Sequence, residues 1–338
     1  MRSAAMRRGA TKASARPQAP RGGRIPASTN GRESNARRCY GNGLVRVWAV
    51  SDLHVDYREN AEWVDNLARQ DYRGDVLIVG GDVTDDLPRL DATLARLRDA
   101  FQAVAFVPGN HELWVRRGSY DCSLEKFEAI LACCRVRGVQ TEPITLAADG
   151  RQVSIVPLHA WYALPEEHPS SLYRDRPGAD DIGLGAWADT HFVRWPEAIK
   201  GRAWEYFAEL NRARLSRRYT GEVVTFSHFL PRLDVGLLGR RSAGAAASER
   251  VRFNFSRVAG TDLIERQLRA LGAAVHIYGH QHRNVDRTLG GVRYVSNCLG
   301  YPSERARGLL AAARLVQVWP PLTRAAEEAG GSSAPAAP

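Results

Sequence analysis

The sequence predicts a layered α/β domain in which helices cover a mostly buried sheet. Three observations predict it. Short β-branched apolar runs recur between residues 45 and 295, and stretches with helical spacing separate them. Five of those runs lead directly into a polar cluster, which is where an open α/β sheet places its ligands. The composition, 44% hydrophobic and 25% charged over 338 residues, is that of an ordinary globular protein with one large domain or two smaller ones.

Taken in order, Val45–Val50 reads as a strand, and Ala61, Val64, Leu67 and Ala68 then recur at helical spacing. Val76–Val79 is the next strand, Leu90, Leu94 and Leu97 share a helical face, and Val104–Val107 returns to strand. A helix from Ser123 to Arg137 is expected to have Ser123 as its N-cap and Gly138 just past its end. Further strands are expected at Val153–Pro157, Val223–Phe226, Val275–Tyr278 and Val292–Val295, with helices near 199–218 and 261–271. The stretch 160–198 is rich in Trp, Pro and Asp without a clear period and is expected to form loops over the core. The organisation is therefore a basic extension (1–43), one folded domain (44–319) and a flexible tail (320–338).

Charge location matters more than its total. The net charge is +10, but residues 1–44 hold ten Lys/Arg against the single acid Glu33, so the remainder is nearly neutral. A basic surface across the fold, the footprint of a nucleic-acid binder, is not implied. No apolar run approaches the roughly 20 residues that cross a bilayer, so no membrane partner is expected. The expected compartment is the cytoplasm, or a chloroplast or mitochondrion if the Arg- and Ser-containing residues 1–43 are a transit peptide. Five cysteines without paired spacing suggest free thiols and neither a disulfide framework nor a zinc finger.

The polar clusters carry the chemistry. They read Asp52-Leu53-His54, Gly81-Asp82-Val83-Thr84-Asp85, Gly109-Asn110-His111-Glu112, His228 and Gly279-His280-Gln281-His282. Alone, each is compatible with an ordinary turn. Together they place carboxylate, carboxamide and imidazole groups at the ends of five strands, in order, a donor set that suits Zn, Mn or Fe. His276, inside an apolar run, reads as a core residue, and core packing is the safer reading of Tyr57 and Trp114.

This ordered set resembles the calcineurin-like metallophosphoesterase superfamily, and the surrounding Ser51–Tyr57 and Phe226–Phe229 resemble a plant and bacterial branch of it. The resemblance covers residues 52–282 and implies a four-layered α/β/β/α sandwich. It implies two divalent metal ions, Mn, Fe or Zn. Asp52, His54, Asp82 and His282 would hold one and Asp82, Asn110, His228 and His280 the other. In the mechanism it implies, a hydroxide bridging the ions attacks phosphorus in line. His111 protonates the leaving oxygen as general acid, and Asp85 orients His111. Asn110, Arg116 and Arg117 are candidate contacts to a substrate phosphate, with a solvated surface pair the alternative for the two arginines.

Position 85 is Asp and not Tyr, so an iron–tyrosinate site is excluded. Asp86-Leu87 replaces the Arg-Gly of the protein Ser/Thr phosphatases, which disfavours that branch. The expected substrate is a small or medium phosphate ester, with mono- and diester both open. The alternatives are a metallonuclease of the same superfamily and a non-catalytic scaffold.

Overall fold

Alternation along each strand decides the architecture. It is seen in a computed structural model that describes residues 38–39, 45–67, 70, 72–117, 120–148, 150–175, 181–236 and 253–321. The elements run β1 (Arg38–Cys39), β2 (Val47–Val50), α1 (Arg58–Leu67), β3 (Tyr72–Val79), α2 (Leu87–Ala100), β4 (Phe101–Phe106) and α3 (Ser123–Arg137). They continue with β5 (Ile144–Ala148), β6 (Arg151–Pro157), α4 (Asp189–Phe192), α5 (Ala203–Leu210), α6 (Arg212–Leu215), β7 (Glu222–Phe226) and α7 (Asp262–Ala270). The last are β8 (Val275–Tyr278), β9 (Val285–Leu289), β10 (Val292–Ser296), α8 (Pro302–Ala306) and β11 (Val316–Trp319).

Two sheets form. One has the order β11-β2-β3-β4 and the other β1-β5-β6-β7-β8-β10-β9. The central pairs β2–β3, β3–β4, β6–β7 and β7–β8 are parallel, so their carboxyl ends point the same way within each sheet. Val47 and Ala49 of β2, Val76 and Ile78 of β3, and Ala103 and Ala105 of β4 pack against Ile155, Val224, Phe226 and Ile277 of the other sheet. The alternate residues Val50, Leu77, Val79, Val104 and Phe106 face outward, into the cluster that contains Val64, Leu90, Leu94 and Phe127 of α1, α2 and α3. Ile264 and Leu268 of α7 cover the second sheet within the same cluster. The result is the α/β/β/α sandwich. Each fully buried aliphatic side chain in it contributes roughly 1.5–3 kcal/mol relative to exposure.

All of the expected strands and helices are present, with shifts at their ends and with 199–218 split into α5 and α6. One detail differs. Cys122, not Ser123, caps α3, because the Ser123 hydroxyl donates to Leu113 O (2.7 Å) and accepts from Arg194 N (2.9 Å) instead. Gly138 ends that helix at a φ of 65°, as expected. Strands β1, β5, β9 and β11 were not anticipated. Of segment 1–43 only Arg38–Cys39 is described, and that pair adds to β5 in parallel. Most of the 320–338 tail lies outside the described residues. The loops of 160–198 do cover the core, burying Trp161, Tyr162, Ala163 and Leu172. Among the described residues no helix is long and apolar enough to cross a membrane.

Candidate metal centre

Each strand end delivers its polar residues to one place. β2 leads to Asp52 and His54, β3 to Asp82, β4 to Asn110 and His111, β7 to His228, and β8 to His280 and His282. Both sheets contribute: His280 N donates to Asp52 Oδ1 (3.0 Å) from one sheet to the other, and within the larger sheet Gly279 N donates to His228 O (2.9 Å). The backbone is strained here. Among the described residues, the non-glycine positions with positive φ are Asp52 (52°), His54 (42°), Asp82 (55°), His280 (71°) and His282 (47°). Every one is a candidate ligand. Left-handed φ at a non-glycine residue costs on the order of 1 kcal/mol or more, and such outliers gather at functional sites.

The glycines explain how the chains approach so closely. A Cβ on Gly81, itself at φ 86°, would lie 2.6 Å from His228 Nδ1, and one on Gly109 would fall on Asp82 Oδ1. Glu112 locks the two turns together, its carboxylate accepting from Asp82 N (2.9 Å), Val83 N (2.6 Å), Thr84 N (3.1 Å) and Gly109 N (2.7 Å). Burial and the Asp82 charge push the Glu112 carboxyl up to about 7, with these donors opposing.

Three sets of donors converge: Asp52, His54 and His282; His54, Asp82 and His111; and Asp82, His228 and His280. In each, the donor atoms lie within 4.8 Å of one another. Asp82 and His54 belong to two sets each. The hydrogen-bond geometry says what they are for. His228 Nδ1 faces Gly80 O (2.8 Å) and His280 Nε2 faces Val258 O (3.0 Å), so each of these nitrogens donates. In the neutral rings, the lone pairs of His228 Nε2 and His280 Nδ1 then face one another at 3.2 Å, with the acceptor Asn110 Oδ1 3.1 Å from His228 Nε2. The other half repeats the pattern: His282 Nδ1 lies 2.7 Å from Glu304 Oε2, leaving Nε2 turned toward His54 Nε2 at 3.0 Å. These facing ring nitrogens, with Asn110 Oδ1 and the Asp82 carboxylate beside them, form a cluster that would suit a cation. The mixed N/O donors fit divalent metal ions, with the outward nitrogens oriented by carbonyl and carboxylate partners.

The electrostatics follow from the same close packing of carboxylates and imidazoles. Burial opposes ionisation of Asp52 and Asp82, but the neighbouring imidazoles hold both carboxyls below their usual range. Burial likewise opposes protonation of His228, and the Asp82 and Asp52 carboxylates override it to raise the ring to about 9. Burial and the His228 charge take His280 down to about 3.

His111 lies at the mouth of the site, its Nε2 3.8 Å from Asp82 Oδ2 and its side chain 16% exposed. Its ring stacks on Trp114 with centroids 3.7 Å apart, so Trp114 is packed as expected but against the site itself. The carboxylate of Asp85, expected to orient His111, meets two arginines. Its Oδ2 pairs with Arg116 Nε, and its Oδ1 has Arg117 Nε at 3.4 Å. The two guanidiniums, four and five residues beyond Glu112, give this buried carboxylate charged partners. Arg116 and Arg117 are thus anchored at Asp85 while remaining 37% and 45% exposed. His276 is a satisfied core residue, bonded to Thr225 Oγ1 (2.9 Å) and Ser227 Oγ (3.2 Å).

Three supporting residues escaped the sequence reading. Glu304 holds His282, and its only signal was the Tyr301-Pro302-Ser303-Glu304 helix start. Lys126, buried in α3, donates to Asp85 O (2.6 Å) and Trp114 O (2.5 Å), tying two of the turns together. Asp189 of α4 accepts from Asn110 Nδ2 (2.9 Å), Trp114 Nε1 (2.6 Å) and Trp187 Nε1 (2.8 Å). No local pattern announces Lys126 or Asp189.

Comparison with known proteins places this arrangement. The chain is 29% identical over 276 residues to the [acyl-carrier-protein] phosphodiesterase PptH of Mycobacterium tuberculosis, covering 77% of this chain and 79% of that one. The crystal structure of phosphopantetheinyl hydrolase (PptH) from M. tuberculosis superposes with a TM-score of 0.65 at 25% identity, over 82% of this chain and 96% of that one. Residues 45–284 match the model of the calcineurin-like phosphoesterases. By that match over most of its length, on a two-sheet fold with the family's motifs at its strand ends, the chain belongs to the calcineurin-like phosphoesterases, hydrolases of phosphate ester bonds.

Proposed function

We propose that this chain is a dinuclear metal-dependent phosphodiesterase whose substrate is a phosphopantetheinyl ester on an acyl carrier protein. The observation that carries the metal reading is the facing of His228 Nε2, His280 Nδ1 and Asn110 Oδ1, and of His54 Nε2 and His282 Nε2, with Asp82 within reach of both groups. The substrate reading is supported by the similarity to PptH, an acyl-carrier-protein phosphodiesterase. It replaces the small-ester expectation with a protein-borne one.

Two divalent ions, Mn, Fe or Zn, held by these residues would acidify water and neutralise charge on the phosphoryl oxygens. The chain's own part follows from its geometry. Asp52, His54, Asp82 and His282 would hold one ion, and Asp82, Asn110, His228 and His280 the other. As a water oxygen bonds to phosphorus and the P–O bond to the leaving group breaks, His111 Nε2 gives its proton to the departing oxygen. The Trp114 ring beneath His111 limits its swing, and Arg116 and Arg117, anchored at Asp85, extend toward solvent where a substrate phosphate or an acidic protein surface would approach.

The test uses metal-stripped protein, restored with Mn, Zn or Fe, on paired aryl phosphate mono- and diesters and on holo acyl carrier protein. Asp82→Asn serves as the control. Metal-restored turnover that favours the diester, releases phosphopantetheine from the carrier and disappears in Asp82→Asn supports the proposal. Turnover of aryl diesters with the carrier left intact by mass spectrometry would reject the substrate and keep the metal chemistry. Turnover that persists in stripped protein would reject both.

A further inference from the structure

Asp189 lies in none of the motifs, yet its carboxylate, 2% exposed, gathers two donors from the turn after β4 and one from the residues just before α4. Oδ1 accepts from the Asn110 carboxamide and the Trp114 indole, and Oδ2 accepts from the Trp187 indole. An indole N–H only donates, and the Asn110 amide presents its NH2 here, so the residue at 189 must accept on both oxygens. An Asn there would turn an NH2 toward a donor. The carboxylate therefore removes one of the two amide orientations of Asn110 and leaves its Oδ1 facing His228 Nε2 at 3.1 Å. The two indoles carry the constraint onward. Trp114 lies under His111, and the edge of Trp187 meets the His280 ring at 5.8 Å between centroids.

The other half of the centre is braced from a different direction. Glu304 of α8 bonds His282 Nδ1 (2.7 Å) and accepts from Tyr301 N (2.7 Å), and the Tyr301 ring packs on His54 and His282 at 4.6 and 4.8 Å. Among the described residues, the hydrogen bonds of Asp189 go to the Asn110 side of the centre and those of Glu304 to the His282 side. We infer that Asp189 and Glu304 are separate positioning residues, each setting the affinity of one metal position, so that the two positions can be weakened one at a time. The inference rests on the two-ion reading above.

Mn(II) titration by calorimetry, with electron paramagnetic resonance to distinguish a spin-coupled pair from an isolated ion, tests it on the full chain. Wild type is expected to take two equivalents and give a coupled pair. Asp189→Asn is expected to keep one tight equivalent and to lose about 10–100-fold in affinity for the other, giving an isolated-ion signal at one equivalent. Glu304→Gln is expected to do the same, and the double variant to weaken both equivalents, because different positions are affected. Two unchanged equivalents in Asp189→Asn would overturn the inference while leaving the two-ion reading intact. So would a double variant that retains one tight equivalent. Fewer than two equivalents in wild type would overturn the two-ion reading and this inference with it. Should Asp189→Asn fail to fold, Trp187→Phe removes one of the three donors and keeps the ring. It must weaken the same equivalent, and an unchanged titration there would equally overturn the inference.

Discussion

His111 is the ligand-set neighbour whose role is most open to direct separation by chemistry. Its Nε2 lies with His54 and Asp82 in one donor set, yet it is 16% exposed at the side chain while Asp82 is nearly closed to solvent. As a proton donor it should matter most when the leaving oxygen is basic. His111→Asn is expected to lower turnover of alkyl esters by about 10²–10⁴ and that of activated aryl esters far less, with metal content unchanged. Equal losses on both, or a lost metal equivalent by elemental analysis, would instead make His111 a ligand. His276 gives a pH-dependent prediction away from the ligands. Burial holds its pKa down at about 3 from an ordinary 6.5, so the unfolded chain binds the extra proton in that window. Stability is then unaffected above pH 6.5 and falls as pH drops toward 3, by up to about 1.4 kcal/mol per unit. Urea denaturation between pH 7 and 4 should show a shallower acid loss in His276→Gln. Identical slopes would place the acid sensitivity elsewhere.

The turns are the elements on which the site depends. Gly109 stands where a methyl group would meet Asp82 Oδ1 and also lie 2.8 Å from His228 Cε1, and Glu112 fastens the same turn to Asp82. Gly109→Ala is expected to cost about 1–3 kcal/mol, the range for an overpacked core, and to weaken metal binding in both halves because Asp82 serves both. A thermal melt and a metal titration together check it. What was legible in the sequence follows the same division. Strands ending in Asp52, Asp82, Asn110, His228 and His280 were legible because burial on both faces makes them apolar and each runs straight into its donors. Strand β9 was not, because Val285-Asp286-Arg287-Thr288-Leu289 is only half buried and lies at a sheet edge. Asp189 was hidden because its partners are separated by 79, 75 and 2 residues, so only the fold assembles them. The pairing of Asp85 with Arg116 and Arg117 was not legible because it depends on how the turn after β4 folds back onto the turn after β3.

At the scale of the molecule, the motifs end before the fold does. Residues 285 onward lie beyond the family match and provide β9, β10 and β11 together with Glu304. Strand β10 pairs with β8, β11 closes the open side of β2, and Val295, Val318 and Trp319 fill the space between the sheets. A chain ending at Asn284 is expected to lack a cooperative thermal transition and the protected core amides of the full chain. Native-like circular dichroism with a sharp melt would show that the shorter segment folds alone. The pairing of β11 also bears on how the protein is handled. Val316 is opposite Ala49 and Trp319 opposite Val47, so β11 runs antiparallel to β2 and leaves the sheet at the end away from Asp52. A fusion partner or surface linker joined directly after Trp319 would therefore tether the molecule at the end of the sheet away from Asp52, leaving the strand ends that carry the candidate ligands unobstructed.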